Sequence, residues 1–168
     1  MIIRTATTTD GPNLARIQLD TWRVVYRGLI SDTMLETHTV QEREGFWAER
    51  LGQARGSVFL AEERSIIGFC DFVPSEDRNA DPETVGEIAG MYVQPDHWRE
   101  GTGRALCDCV LATARQQGYR AVTLWAFEAV AAARDFYRAM GFSPDGGRST
   151  LTLPDGSDLP TVRFRIVI

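Results

Sequence analysis

Two glycines one residue apart, Gly101 and Gly103, stand where an apolar run ending in Met91-Tyr92-Val93 gives way to a helical pattern. A glycine leaves the main chain without a β-carbon, so an anion can approach the backbone there, and the first amides of a helix have no acceptor within it. Those amides, with the positive end of the helix dipole, suit a diphosphate. The turn Trp98-Arg99-Glu100-Gly101-Thr102-Gly103 therefore reads as a diphosphate cradle, with the amides of Arg99 to Arg104 as donors and the Thr102 hydroxyl as one more. It is not a nucleoside triphosphate loop: G-x-x-x-x-G-K-[ST] does not occur, and all 18 basic residues are arginine. Nor is it a dinucleotide fingerprint, which needs G-x-G-x-x-G early in a βαβ unit.

The elements that must position this turn are a buried strand and a helix. The run Glu87 to Val93 reads as the strand, and Leu106, Cys109, Val110, Thr113 and Ala114 recur at helical spacing up to a stop at Gly118. From the beginning of the chain, Ile2 to Ala6 reads as a strand. The cluster Thr7 to Asp10 ahead of Gly11-Pro12 starts a helix whose buried stripe is Leu14, Ile17, Thr21, Val24 and Val25 and whose end is Gly28. Ser31-Asp32 can cap a short helix, and Thr39-x-x-Glu42 is a capping box for one running to Leu51 with Phe46, Trp47 and Leu51 on its apolar face. Val58 to Ala61 and Ile66 to Val73 read as a hairpin. Pro74 to Glu83, with four acids against one arginine, reads as a solvated loop that could instead draw in a cationic molecule. Ala121 to Ala126 is a buried strand. Ala129 to Met140 is a helix with Ala132, Ala133, Phe136, Tyr137 and Met140 on one face, and Arg148 to Leu153 with Leu159 to Ile168 forms a closing hairpin around Pro154-Asp155-Gly156. This order predicts a mixed α/β sheet covered by helices.

The chain has 168 residues, 43% of them apolar, which predicts a single domain over 1–168 with one sizeable core. A net charge of −5 argues against nonspecific nucleic-acid binding and mildly favours a cationic or neutral substrate. Three cysteines, Cys70, Cys107 and Cys109, without C-x-x-C spacing, fit a reducing compartment and no metal site. No basic-apolar leader and no apolar run of 18 residues occurs, so a cytoplasmic protein without membrane contact is expected. His38 and His97 lack a nucleophile or ligand cluster. The arginine-bearing last strand can support a homodimer, although no pattern requires one.

The residues Tyr92-Val93, Pro95, Gly101-Thr102-Gly103 and Ala105-Leu106 resemble the acyl-CoA signature Q/R-x-x-G-x-G/A of the GNAT N-acetyltransferase superfamily. Trp98 stands at the Q/R position, and Glu100 places an acid in the turn. A second segment, Ala133-x-x-Phe136-Tyr137-x-x-x-Gly141-Phe142, is similar to the family's N-x-x-A-x-x-F-Y-x-x-x-G-F element, with Val130 in place of the asparagine. Trp22-x-x-x-Tyr26-x-Gly28-Leu29 and the Gly141 to Gly146 and Val162 to Phe164 segments extend the resemblance over essentially the whole chain. It implies a GNAT-like, mostly antiparallel sheet of about seven strands flanked by about four helices, in the order strand, two helices, three strands, helix, strand, helix, two strands, and splayed between the fourth and fifth strands.

The resemblance also implies a chemistry: direct transfer of acetyl from acetyl-CoA to a primary amine on a small molecule, a polyamine or a peptide N-terminus. By position, Met91 and Val93 offer main-chain groups to the pantetheine arm, and the Met91 amide polarises the thioester carbonyl. Glu87, on the Met91 face of the strand by alternation and fourteen residues before Gly101, matches a general base; otherwise it is a strand-edge glutamate in solvent or paired with arginine. Tyr137 matches the acid for the leaving thiolate, with Ala133 and Phe136 beside the cofactor. Trp22 and Tyr26, four apart on one helix face, and Trp125 and Phe127 at the end of a strand are candidates for the acceptor wall, or equally for core packing. An alternative is a module that keeps the cradle, binds acyl-CoA and regulates without turnover.

Overall fold

The computed structural model describes residues 1–168. Strands are β1 (Ile2–Thr5), β2 (Ser57–Glu62), β3 (Ile66–Pro74), β4 (Val85–Val93), β5 (Ala121–Phe127), β6 (Ser143–Thr152) and β7 (Asp158–Val167). Helices are α1 (Gly11–Val25), α2 (Asp32–Thr37), α3 (Val40–Gly52), α4 (Thr102–Gln116) and α5 (Ala131–Ala139). The seven strands form one sheet in the order β1-β2-β3-β4-β5-β7-β6. The strand pairs β1–β2, β2–β3, β5–β7 and β6–β7 are antiparallel, whereas β4 and β5 are parallel. The register of β4 with β5 runs from Val85 opposite Ala121 to Ile88 opposite Leu124, and each strand then continues past the end of that ladder, to Val93 and Phe127.

Five helices occur where about four are expected, because three lie between β1 and β2. Ser31 caps α2 by accepting from the Met34 N–H, Thr39 caps α3 with a full capping box to Glu42, and His38 between them is extended, so the segment cannot be one helix.

The chain packs as two compact units, Met1–Phe72 with Gly90–Val110, and Val73–Ala89 with Leu111–Ile168; β3, β4 and α4 contribute residues to both. In the first, Leu14, Ala15 and Ile17 of α1 and Trp47 of α3 pack with Val58, Leu60 and Phe69 of the sheet, and Tyr92 lies against this cluster. The α1 stripe departs from the expected one. Val24 is exposed and Gln18 is buried, its side-chain oxygen accepting from the Trp47 indole and from Arg43. Phe46 is likewise exposed while Trp47 is buried. On α4, beyond the buried Thr102 at its start, the buried residues are Leu106, Cys107, Val110, Leu111 and Ala114, so the stripe is rotated by part of a turn from the expected one and Cys109 is half-exposed. In the second unit, Tyr137 packs its ring on Phe142 and Phe164 at centroid distances of 5.9 and 6.4 Å.

The entry into α1 is held by charge. Asp10 is buried, accepts from the Thr7 N–H at 2.7 Å and from both terminal nitrogens of Arg4 at 2.9 Å, and Arg4 also reaches Glu62. The Arg4 guanidinium lowers the Asp10 carboxyl from its ordinary 3.8 to about 2. A depressed carboxyl contributes stability that is present above its unfolded value and is lost as pH falls through the folded one. Asp10→Asn is therefore expected to cost roughly 1.5–3 kcal/mol at neutral pH, the range for a hydrogen bond to a charged group. The difference from wild type should shrink between about pH 4 and pH 2, measured by urea unfolding across that window.

Candidate active site

In the first unit, the turn after β4 has the backbone a cradle needs. The Gln94 N–H donates to the Ile67 carbonyl at 2.8 Å, Pro95–His97 makes a single 3-10 turn, and the chain then reverses hand at Arg99 (φ 63°) and Gly101 (φ 89°) before α4 begins at the buried Thr102. A left-handed residue followed by a right-handed helical one turns successive N–H groups towards a common concavity. A Cβ built on Gly101 would meet nothing within 4 Å, so the space beside it is open. Helical bonding starts with the Ala105 N–H on the Gly101 carbonyl at 3.0 Å, which places the amides of Thr102, Gly103 and Arg104 in the first turn, where no helical acceptor exists. The left-handed Arg99 has no sequence signal, since arginine rarely adopts that conformation. Glu100, the acid in the turn, faces His97 Nδ1 at 3.0 Å.

Trp98 has a structural duty. Its indole N–H donates to the Val93 carbonyl at 2.7 Å, and the Thr21 hydroxyl reaches the same oxygen at 3.2 Å while also donating to Ile17. The Val93 carbonyl is thus bonded within the chain. Met91 is half-buried on the same strand.

Trp22 and Tyr26 of α1 lie with ring centroids 6.3 Å apart, and His38 at 5.2 Å and Tyr92 at 6.5 Å from Trp22 extend the aromatic surface. The Arg43 guanidinium sits 5.4 Å from the Trp22 ring centroid. The Trp22 indole nitrogen is buried without a hydrogen-bond partner, a state that ordinary core packing avoids. Burial pushes the Tyr26 phenol well above its usual range.

In the second unit, Glu87 lies on β4 opposite Thr123 of β5. The buried Ser75 hydroxyl donates to its carboxylate at 3.0 Å. Burial raises the Glu87 carboxyl above its ordinary 4.5, and the negative charges of Asp77 and Glu76 add to that, while the bonds from Ser75 and from the Glu76 N–H oppose it. The serine was not foreseen; it follows directly on β3 and is fixed by its own N–H to the Val85 carbonyl at 2.9 Å.

Tyr137 is buried on α5, with Phe136 and Ala133 half-buried beside it. Val130 is the N-cap of α5 and supplies no capping bond, as an apolar side chain at the asparagine position must. Trp125 and Phe127 are half-buried at the end of β5, and the Trp125 indole is committed to Asp77 at 3.1 Å. The acidic loop is consequently not simply solvated: Ser75 is buried and Asp77 is bonded to Trp125 and Arg163.

The model of the Acetyltransferase (GNAT) family matches residues 18–142. The chain is 31% identical over 144 residues to an aminoglycoside N(6')-acetyltransferase type 1 of Stenotrophomonas maltophilia, covering 83% of this chain and 84% of that one. It is 29% identical over 130 residues to the uncharacterized N-acetyltransferase YuaI of Bacillus subtilis, covering 75% and 71%. In fold it is similar to the PaiA N-acetyltransferase of Thermoplasma acidophilum, solved in complex with coenzyme A, with a TM-score of 0.79 at 17% identity over 99% of this chain and 98% of that one.

Because the space at Gly101 is open, its glycine answers to backbone hand alone. Gly101→Ala should lower stability by about 1–2 kcal/mol, the cost of a left-handed residue carrying a β-carbon, measured by urea unfolding; no loss would mean that the turn is not held in that conformation.

Proposed function

The chain belongs to the GNAT acetyltransferase family, and on that premise we propose that it binds acetyl-CoA and transfers the acetyl group directly to a primary amine, as a single domain over 1–168. The observation that carries this reading is the double reversal at Arg99 and Gly101 ahead of α4, with open space at Gly101. Main-chain amides need no particular side chains to bind a diphosphate, so Trp98 and Glu100 do not weaken the argument. When bound, acetyl-CoA supplies the activated thioester. In the first unit the amides from Arg99 to Arg104 and the Thr102 hydroxyl would hold its diphosphate and the Met91 N–H would donate to its carbonyl oxygen; in the second, Ala133 and Phe136 of α5 are assigned to the cofactor by the family match.

Glu87 takes the proton from the ammonium form of the acceptor, through water, so that the nitrogen lone pair can attack. Its partial burial supports this role, because desolvation brings a carboxylate closer in basicity to an amine. Tyr137 would donate its hydroxyl proton to the departing thiolate and would be restored by the second proton, which the nitrogen sheds as it becomes an amide. Trp22 and Tyr26 are the acceptor-wall residues of the first unit, and the unpartnered Trp22 indole N–H supports that reading by offering a donor to a polar acceptor molecule. The acceptor is a small-molecule amine, a polyamine or a peptide N-terminus.

Calorimetric titration with acetyl-CoA should show binding by wild type and none by a folded Gly103→Trp variant, whose bulk fills the cradle; equal binding by both would remove the cradle from the account. Tyr137→Phe should lower kcat on the order of 100-fold, the range for losing one general acid, with acetyl-CoA affinity retained. Since Glu87 works only when ionised and its carboxyl is raised, kcat/KM should fall on the acid side with a midpoint above 4.5, the ordinary value for that carboxyl. That limb should vanish in the slow Glu87→Gln variant, and a limb that persists would take the base role from Glu87.

A further inference from the structure

Arg163 of β7 is 9% exposed and lies opposite Trp125 of β5. On its other side the pairing with β6 passes from Pro144 opposite Phe164 to Arg148 opposite Val162, so three residues, Asp145, Gly146 and Gly147, face the single Arg163. That bulge wraps the guanidinium. Asp145 accepts from Arg163 Nε at 2.9 and 3.1 Å, the Gly147 N–H ties back to Asp145 at 3.0 Å, and a Cβ on Gly147 would stand 2.8 Å from both Cβ and Nε of Arg163. Arg163 Nη1 then donates to Asp77 and to Asn79 at 2.8 Å, and its Cζ lies 5.6 Å from the Trp125 ring centroid.

A buried arginine with two carboxylate partners exceeds what closing a hairpin requires, since hydrophobic packing there would avoid the desolvation of three charges. Its reach to Asp77 joins the bulge to the loop that carries Ser75. The Asp77 N–H donates to Ser75 Oγ at 3.3 Å, and Ser75 Oγ donates to Glu87 at 3.0 Å. Arg163 thus holds the Asp77 carboxylate, the Asp77 main-chain N–H holds Ser75, and Ser75 bonds the carboxylate read above as the base, so Asp77 is tied at both its side chain and its backbone.

We propose that Arg163 is a positioning residue for Glu87: it pins Asp77, and through it the Ser75 to Asp77 segment, and by pairing with Asp77 it screens Glu87 from that neighbouring negative charge. The catalytic meaning rests on the reading of Glu87 as base, whereas the coupling itself does not. The charged groups that act on Glu87 are Asp77 and Glu76 on the loop; Thr123, opposite Glu87 on β5, is neutral, and Arg165 of β7 stands opposite Thr123 in turn. Asp77 and Glu76 act on Glu87 unfavourably to its charge, and Arg163 is the cation bonded to Asp77.

The sign of each substitution follows. Arg163→Gln leaves Asp77 uncompensated and should raise the Glu87 titration midpoint by on the order of half a pH unit, the scale for one partly screened charge a few ångströms further off. Asp77→Asn removes the negative charge and leaves the cation, and should lower the midpoint. The double variant should return towards wild type. The measurement is a carbon-13 titration of glutamate carboxyls in the full chain, with the Glu87 resonance identified by its loss in Glu87→Gln, beside the acid limb of kcat/KM. Opposite shifts from the two single variants support the proposal; no shift, or shifts of the same sign, overturns it. Should Arg163→Gln not fold, the double variant is compared with Asp77→Asn: a midpoint returned towards wild type supports the proposal, and one no different from that of Asp77→Asn overturns it. If the carboxyl moves as expected while the acid limb of kcat/KM does not follow, the coupling stands and the base assignment of Glu87 fails.

Discussion

The turn between β4 and α4 changes hand twice within three residues, and that backbone conformation is the constraint on which the site depends. At Gly101 it is free of side-chain strain; at Arg99 it is not, and a left-handed arginine persists only where its surroundings over-determine it. Those surroundings are the Trp98 indole bonded to the Val93 carbonyl, the Thr21 hydroxyl on the same oxygen, and the Gln94 N–H on the Ile67 carbonyl. Together they fix where the strand stops and the direction in which α4 starts. The amides at the start of α4 are positioned by hydrogen bonds made several residues earlier.

A second constraint is electrostatic. Glu87 is held by competing effects: burial and two neighbouring acids favour its neutral form, and hydrogen bonds from Ser75 and the Glu76 N–H favour its charge. A carboxylate in open solvent would be too weak a base for an ammonium, and one fully buried and unpaired would not ionise. The intermediate state depends on a loop that is anchored, and Arg163 with Trp125 supplies the anchors at Asp77.

Much of this was legible in the order of residues. Glycine and capping signals located α3, α4 and the closing hairpin, because Thr39, Glu42, Gly101 and Gly118 each answer to a local backbone requirement. What escaped was long-range. Val24 was assigned to the buried stripe of α1 by spacing, yet a stripe rotates to suit its neighbours, and Gln18 is buried there because Trp47 and Arg43 bond it. The acidic loop looked solvated because its partners, Trp125 and Arg163, lie 48 and 86 residues from Asp77. The bulge at Asp145 to Gly147 was hidden for a similar reason: two glycines announce a turn, but only the side chain of Arg163 explains why the strand resumes after it. Family resemblance supplied the roles of Glu87, Met91 and Tyr137, which neither periodicity nor spacing could assign.

On the proposed function, main-chain amides at one turn hold the cofactor. Amide chemical shifts of nitrogen-15-labelled protein, followed during titration with acetyl-CoA, test it most directly. The largest perturbations are expected on the amides from Arg99 to Arg104. Saturable binding that leaves those amides unmoved would contradict it and place the cofactor elsewhere on the chain.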